Sequence, residues 1–286
     1  MNADERLLYE TRVRMRQAVL AGIAGVLLVV GAALQLVGPH AKVEELTVDL
    51  IVAHKRVPLD QIAAVVNALG LLSLAATLAY LFDSVRARNP ELRAFIRPLA
   101  ISGGIGAAVI GIAYSITIAV KAQQFITHGS QTYVEANHLT KSGVLAVLPF
   151  IGQLAALLLA VGFVLVSLNA MRVGLLTRFM GYLGIFVGVL VLFPIGSPVP
   201  VVEGFWLVAL GYLFSGRWPS GVPPAWRSGR AEPWPSSQQV REQRIRAAGG
   251  RGRATPAPAP AAQAVGTPAP ARTRSATPKR KRKRRR

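Results

Sequence analysis

The stretch QAVLAGIAGVLLVVGAALQLVG, residues 17–38, decides the fold of this chain. It holds 22 residues without one charged side chain. As an α-helix, which rises about 1.5 Å per residue, it is long enough to cross a hydrocarbon core about 30 Å thick. The run is continuous and lacks the alternation of a membrane β-strand. It therefore predicts a membrane-spanning helix, and we expect it to be retained, because no small-residue cleavage site follows it.

Five further apolar runs follow the same pattern. They lie at residues 61–82, 99–120, 144–168, 179–195 and 199–214. The last two form a pair joined by Gly196-Ser197-Pro198. Together the runs predict an all-α fold, a polytopic transmembrane helical bundle of about six helices.

Small residues and prolines within the runs predict how the helices pack. Gly103, Ala107 and Gly111 recur at four-residue spacing in the third run. Such stripes let neighbouring backbones approach closely, which replaces the hydrophobic drive that lipid does not supply. Pro149 and Pro194 interrupt the fourth and fifth runs, where we expect a kink or a local break.

Charge is concentrated in the last quarter of the chain. The protein has 33 Lys and Arg against 13 Asp and Glu, a formal net charge of +20. Of these, 18 basic and 2 acidic residues follow Gly216, so residues 217–286 carry +16. This segment is rich in Pro, Ala and Gly, and it holds too little apolar surface to offset the entropy of ordering. We therefore predict a disordered basic tail over residues 217–286.

The tail ends in a run of eight basic residues. They are Lys279, Arg280, Lys281, Arg282, Lys283, Arg284, Arg285 and Arg286. Anionic lipid headgroups fit this run, because each juxtamembrane Lys or Arg gains about 1 kcal/mol near such a surface. Nucleic acid, ribosomal RNA included, fits it through sequence-independent phosphate contacts. A third interpretation is a solubilising tail without a dedicated partner, and of the three we favour the lipid surface.

Flanking charges predict the orientation of the spans. Ten basic residues lie at the N terminus and after the second and fourth runs, against five on the other side. The positive-inside rule makes the richer side cytoplasmic. The predicted organisation is a cytoplasmic N-terminal arm at 1–16, a six-helix domain at 17–216 and a cytoplasmic tail at 217–286. We expect the protein in the plasma membrane, with both termini in the cytoplasm.

Polar side chains within the apolar runs are the first candidates for a functional site, because such groups are costly in a membrane. Glu203 is the only acidic residue in the predicted spans and lies near the outer end of the last one. Asn67, Gln153 and Gln35 are neutral and polar. A small-solute transporter or channel would line its path with Asn67, Gln153 and Glu203. The alternatives are interhelical hydrogen bonds for the amides and an interfacial place for Glu203.

Motifs for catalysis are absent from the sequence. It contains no phosphate-binding loop, nucleophile elbow, zinc-protease helix or dinucleotide fingerprint, and no cysteine. All four histidines, His40, His54, His128 and His138, lie in the two long outer loops. A membrane enzyme with a metal site built from those loops is a second alternative. The favoured prediction is a non-enzymatic membrane protein without cofactor or metal.

The order of these features resembles the small multi-pass membrane proteins of unknown function common in actinobacteria. The resemblance rests on the six runs, on LNAMRVGLL at residues 168–176 and on the glycine-rich closing pair. It covers residues 1–216. It implies a bundle of membrane helices and supplies no catalytic residues.

Overall fold

A computed structural model describes residues 3–40, 45–193, 199–219, 221–234, 241–242 and 245. Within these residues the chain forms eight α-helices and no strand. In chain order they are α1 (Ala3–Leu36), α2 (Leu46–Arg86), α3 (Ile96–Thr127), α4 (Tyr133–Lys141), α5 (Val144–Arg172), α6 (Arg178–Leu192), α7 (Val201–Phe214) and α8 (Pro224–Ser228). The chain divides into two compact units, Met1–Trp234 and Pro235–Arg286, and these helices belong to the first. The predicted all-α fold is confirmed for the described residues.

Four helices are long and apolar enough to cross a membrane. They are α2, α3, α5 and the Leu7–Leu36 part of α1, and they contain the first four predicted spans apart from residues 37 and 38. The other two apolar helices, α6 and α7, have 15 and 14 residues. Such lengths correspond to about 22 and 21 Å of helix, less than the thickness of a hydrocarbon core. The predicted count of six therefore depends on these two short helices.

The long helices continue well beyond the predicted spans. α2 begins at Leu46 and has 41 residues, and α3 continues to Thr127. Much of the two predicted outer loops is therefore helical, and the second loop also contains α4. Pro149 lies within α5 and does not end it, because neighbouring groups in a membrane bundle can satisfy a freed carbonyl. Pro194 lies outside the described residues.

Glycines set the contacts between neighbouring helices, which follow the order α7, α1, α2, α3, α5, α6. Gly103 of α3 lies against the backbone of Leu159 on α5, and Gly104 lies against Ala75 of α2. A Cβ at either position would collide with the neighbouring helix, as predicted for close packing at small residues. Farther along α3, a Cβ at Gly111 would meet nothing within 4 Å. There the glycine lines a cavity instead of a helix contact.

α7 lies beside only part of α1. Gly211 packs on Ala18, and Gly204 packs on Val29. The two helices are therefore antiparallel, and α7 begins at Val201 beside Val29 and Val30, about two turns before α1 ends. The remainder of α1, which continues to Leu36, extends beyond α7.

α6 likewise lies beside only part of its neighbour, α5. Gly181 packs on Met171 of α5, and Gly188 packs on Ala160. α6 therefore follows α5 back from its C-terminal end, and the N-terminal part of α5 extends beyond it. α7 thus lies along α1 from Ala18 to Val29, and α6 lies along α5 from Ala160 to Met171.

The segment after α7 belongs to the folded bundle. Trp226 of α8 is 4% exposed, and its indole Nε1 donates to the Leu175 carbonyl at 3.0 Å. Its ring also lies edge-on to Phe214 at 5.7 Å. The predicted start of a disordered tail at Arg217 is therefore too early, since the first compact unit extends to Trp234. The physical reason is that one buried indole gives a polar, proline-rich segment a large apolar anchor.

A buried ion pair beside this indole joins α1 to the turn that follows α2. Both carboxylate oxygens of Glu10 accept from Arg88, at 2.8 and 2.6 Å. Arg88 also donates twice to the Ala225 carbonyl and once to the Ser84 carbonyl, so all five guanidinium N–H groups are used. We call Glu10, Arg88, Ala225 and Trp226 the Arg88 cluster. It brings the start of α1, the end of α2 and the segment after α7 to one end of the bundle.

Candidate functional site

A cavity of about 540 Å³ lies between α2 and α3, and we call it the α2–α3 cavity. Its polar and charged lining residues are Gln35, Arg56, Asp60, Asn67, Tyr114 and Ser115. Ala107, Ala108 and Gly111 form much of its α3 wall. The predicted stripe of small residues thus packs against neighbours at one end and leaves an open space at the other.

A second cavity of about 380 Å³ lies at the start of α7, and we call it the Glu203 cavity. Among the described residues, Glu203 is the one ionisable side chain that lines it, and the walls are mostly apolar. Gln35, Asn67 and Leu71 line both cavities. Because Val201 and its neighbours also line the Glu203 cavity, the positive end of the α7 dipole lies there.

Arg56 and Asp60 form an ion pair at the α2–α3 cavity, and their charges cancel. They lie one turn apart on α2, with Arg56 Nη2 and Asp60 Oδ1 separated by 3.0 Å. Arg56 also donates to the carbonyls of Gln35 and Pro39 at the end of α1. A cation at this position stabilises the negative end of the α1 dipole. The pair therefore holds α1 to α2 and adds no net charge to the cavity.

Three polar side chains that line the Glu203 cavity bond to no other residue in the described ranges. The side-chain amides of Gln35 and Asn67 hydrogen-bond to no other residue in the described ranges. The Glu203 carboxylate forms no ion pair in the same part of the chain. The interhelical hydrogen bonds predicted for these amides are therefore absent there. Because unpaired polar groups are costly in an apolar bundle, these groups are available to water or a ligand.

The structure brings together two of the three candidates for a polar path. Asn67 and Glu203 both line the Glu203 cavity. Gln153 lies exposed on α5 and lines neither cavity, so it does not join them. Glu203 lies in the first turn of α7, and the adjacent Gly204 packs on Val29 near the C-terminal end of α1. The basic run at residues 279–286 lies outside the described residues.

The sequence prediction missed Arg56 and Asp60, which were placed in an outer loop. Their spacing of four residues is the signal that could have found them, since it puts both on one face of a helix. Reading α2 outward from its apolar run to Leu46 would have made the pair part of the bundle.

The histidines do not assemble a metal site in the described residues. His40 Nε2 lies 3.2 Å from Arg56 Nη1, a cation that opposes metal binding. His128 Nδ1 lies 2.6 Å from Thr127 Oγ1. No group of three His, Cys, Asp or Glu side chains suited to a metal ion occurs in these ranges. The alternative of a metal-dependent membrane enzyme gains no support from the geometry.

The long apolar helices define the class of this protein. With four helices of spanning length and composition, it is an integral membrane protein whose helices contact the lipid bilayer. Comparison with known protein families, curated proteins and solved structures finds no match. The resemblance to actinobacterial multi-pass proteins stays a prediction, and function has to be argued from the cavities.

Proposed function

We propose that the protein binds a small amphipathic solute within its helix bundle and acts as a transporter or channel. The observation that carries this proposal is the pair of adjoining cavities, where the side chains of Gln35, Asn67 and Glu203 bond to no other residue in the described ranges. The cavity volumes of about 540 and 380 Å³ lie within the range of about 300–1,000 Å³ usual for small-molecule sites. Mostly apolar walls with a few polar groups are also usual for such sites.

The short helices support transport rather than simple binding. We propose that α6 and α7 form a re-entrant pair, which enters the membrane, turns between Leu192 and Val201 and returns to the same side. Their register along α5 and α1 supports this arrangement, with four complete spans in place of six. Broken or half-length helices in transporters place backbone dipoles at the solute. α7 has its N terminus at the Glu203 cavity in the same way.

The orientation proposed from the sequence fits this arrangement. The Arg88 cluster brings the start of α1 and the segment after α7 to the same end of the bundle. The excess of ten flanking basic residues over five supports a cytoplasmic position for that side, in the plasma membrane.

Filling the α2–α3 cavity is expected to weaken solute binding about tenfold or more. Gly111 lines this cavity, and a Cβ added there meets nothing within 4 Å, so the side chain of Gly111→Leu enters open space. Gly22→Leu is the matched control, because its Cβ is equally free and it lines neither cavity. Affinities come from the shift of the unfolding temperature of the purified full chain with added probe.

Three probes of similar shape cover the possible charges of the solute. They are phenyltrimethylammonium, its neutral isostere tert-butylbenzene and the anion benzenesulfonate. We expect at least one to bind the wild type and the Gly22→Leu variant, and to bind the Gly111→Leu variant much more weakly. Equal binding to all three proteins would contradict a solute site in the α2–α3 cavity.

A second candidate function belongs to the tail. We propose that residues 235–286, which hold 15 basic residues and 1 acidic residue, engage anionic lipid headgroups. The proposal is favoured because the first compact unit ends at Trp234 and 44 residues separate it from the basic run. Each Lys or Arg near such a surface contributes about 1 kcal/mol.

The tail proposal predicts a salt-sensitive approach of the C terminus to the bilayer. A fluorophore at the C terminus of the full chain is expected to transfer energy to labelled lipid in phosphatidylserine vesicles at low salt. Transfer should fall at high salt, because ions screen surface charges. Equal transfer in pure phosphatidylcholine vesicles would contradict the proposal, and displacement from phosphatidylserine by added RNA would favour a nucleic-acid partner.

A further inference from the structure

We infer that the solute is a small organic cation with an apolar or aromatic body, held by the carboxylate of Glu203. This inference rests on the proposed solute-binding function and adds the charge and the chemical class of the ligand. It follows from the charges and the wall composition of the two cavities.

The charges around the two cavities leave one negative charge without a partner. The formally charged lining residues in the described ranges are Arg56, Asp60 and Glu203. Arg56 and Asp60 compensate each other, whereas no cation in these ranges pairs with Glu203. Residues 194–198, which link α6 to α7, contain no ionisable side chain. The positive end of the α7 dipole is equivalent to only about half a charge, so the net charge around Glu203 stays negative.

The apolar surroundings of the Glu203 carboxylate favour the binding of a cation over that of an anion. Glu203 lies in the first turn of α7, where Gly204 packs on Val29 of α1, and the side chains around the cavity are mostly apolar. An effective dielectric constant well below that of water strengthens the attraction of a cation several-fold. The same surroundings oppose an anion, which would add a second uncompensated negative charge.

The walls favour an organic cation over a metal ion. Hard cations such as Ca²⁺ need six to eight oxygen ligands, and the Glu203 cavity offers oxygens mainly from Glu203, Asn67 and Gln35. Apolar side chains, among them Leu207 and the ring of Phe163, form the remaining surface. An aromatic ring in the wall attracts ammonium groups through its quadrupole, and the aliphatic side chains suit the body of the ligand.

The test compares the same three probes on the full chain and on two variants. Phenyltrimethylammonium and tert-butylbenzene differ only in replacement of the quaternary nitrogen by carbon, so their affinity ratio isolates the charge. We expect the cation to bind the wild type about tenfold or more tightly than its neutral isostere, and benzenesulfonate to bind most weakly. Glu203→Gln should remove the preference and keep the binding of tert-butylbenzene.

Asp83→Asn is the control, because it removes an exposed carboxylate that pairs with Arg97 away from both cavities. It should keep the full preference for the cation. If the neutral or anionic probe binds the wild type best, or if Glu203→Gln keeps the preference, the inference fails while solute binding stands. If none of the three probes binds, the proposed function fails with it. The wild-type ratio decides the question even if Glu203→Gln does not fold.

Discussion

Truncation after Gly216 is expected to destabilise the bundle by at least about 4 kcal/mol, whereas truncation after Trp234 should leave its stability unchanged. The shorter chain loses Trp226, and removal of a large buried aromatic side chain costs about 3–5 kcal/mol. It also loses the Ala225 carbonyl, which leaves buried N–H groups of Arg88 without an acceptor, at about 1–3 kcal/mol.

The measurement is thermal unfolding of the purified chains in the same detergent. The chain truncated after Trp234 is the control, because it lacks only the second compact unit, Pro235–Arg286. If the truncation after Gly216 cannot be recovered, Trp226→Ala tests the same docking. Unfolding temperatures that are equal for all chains would show that the segment after α7 contributes nothing to the bundle.

Replacement of Arg88 by Met is expected to cost about 3–5 kcal/mol, because it leaves the Glu10 carboxylate buried without its partner. Arg97→Met is the matched control. Arg97 also pairs with a carboxylate at 3.0 Å, but both side chains are about half exposed, and exposed pairs contribute about 0–1 kcal/mol. Both variants are compared with the wild type by thermal unfolding in detergent.

A double variant separates the ion pair from the packing of its side chains. Glu10→Leu combined with Arg88→Met leaves no buried charge unpaired, so its cost should be smaller than the sum of the two single changes. Additive costs, or an Arg88→Met variant as stable as the Arg97→Met variant, would contradict the role of the Arg88 cluster.

The sequence was sufficient for the spans because hydropathy reports length and composition directly. Long helices contain the run at residues 17–38, except for its last two residues, and the whole of the three runs that follow. Hydropathy does not report how far a helix extends across the membrane. The short runs at 179–195 and 199–214 were therefore counted as spans. Only the contacts of glycines such as Gly204 and Gly188 reveal that α7 and α6 lie beside part of α1 and α5.

The composition of residues 217–234 predicted disorder for a segment that packs on the bundle. Averaged over the segment, prolines, glycines and arginines suggest disorder. The fold of the segment depends instead on one side chain, Trp226, and on the acceptors and rings that the bundle offers to it. Such complementarity is set by tertiary structure and has no local sequence signal.

The candidate site was predicted in part. Glu203 and Asn67 were found because polar residues are conspicuous in apolar runs. Gln153 was grouped with them because α5 is apolar all round, so its sequence does not reveal which face is buried. Ala155, on the buried face, lies two residues from Gln153, which puts the two on nearly opposite sides of the helix.

The binding of phenyltrimethylammonium to the purified full chain is the direct test of a solute site that prefers an organic cation. The measurement is the unfolding temperature as a function of probe concentration, with tert-butylbenzene and benzenesulfonate in parallel. We expect a saturable rise with the cation at lower concentration than with either of the other probes. No saturable shift with any of the three would contradict a solute site in this bundle.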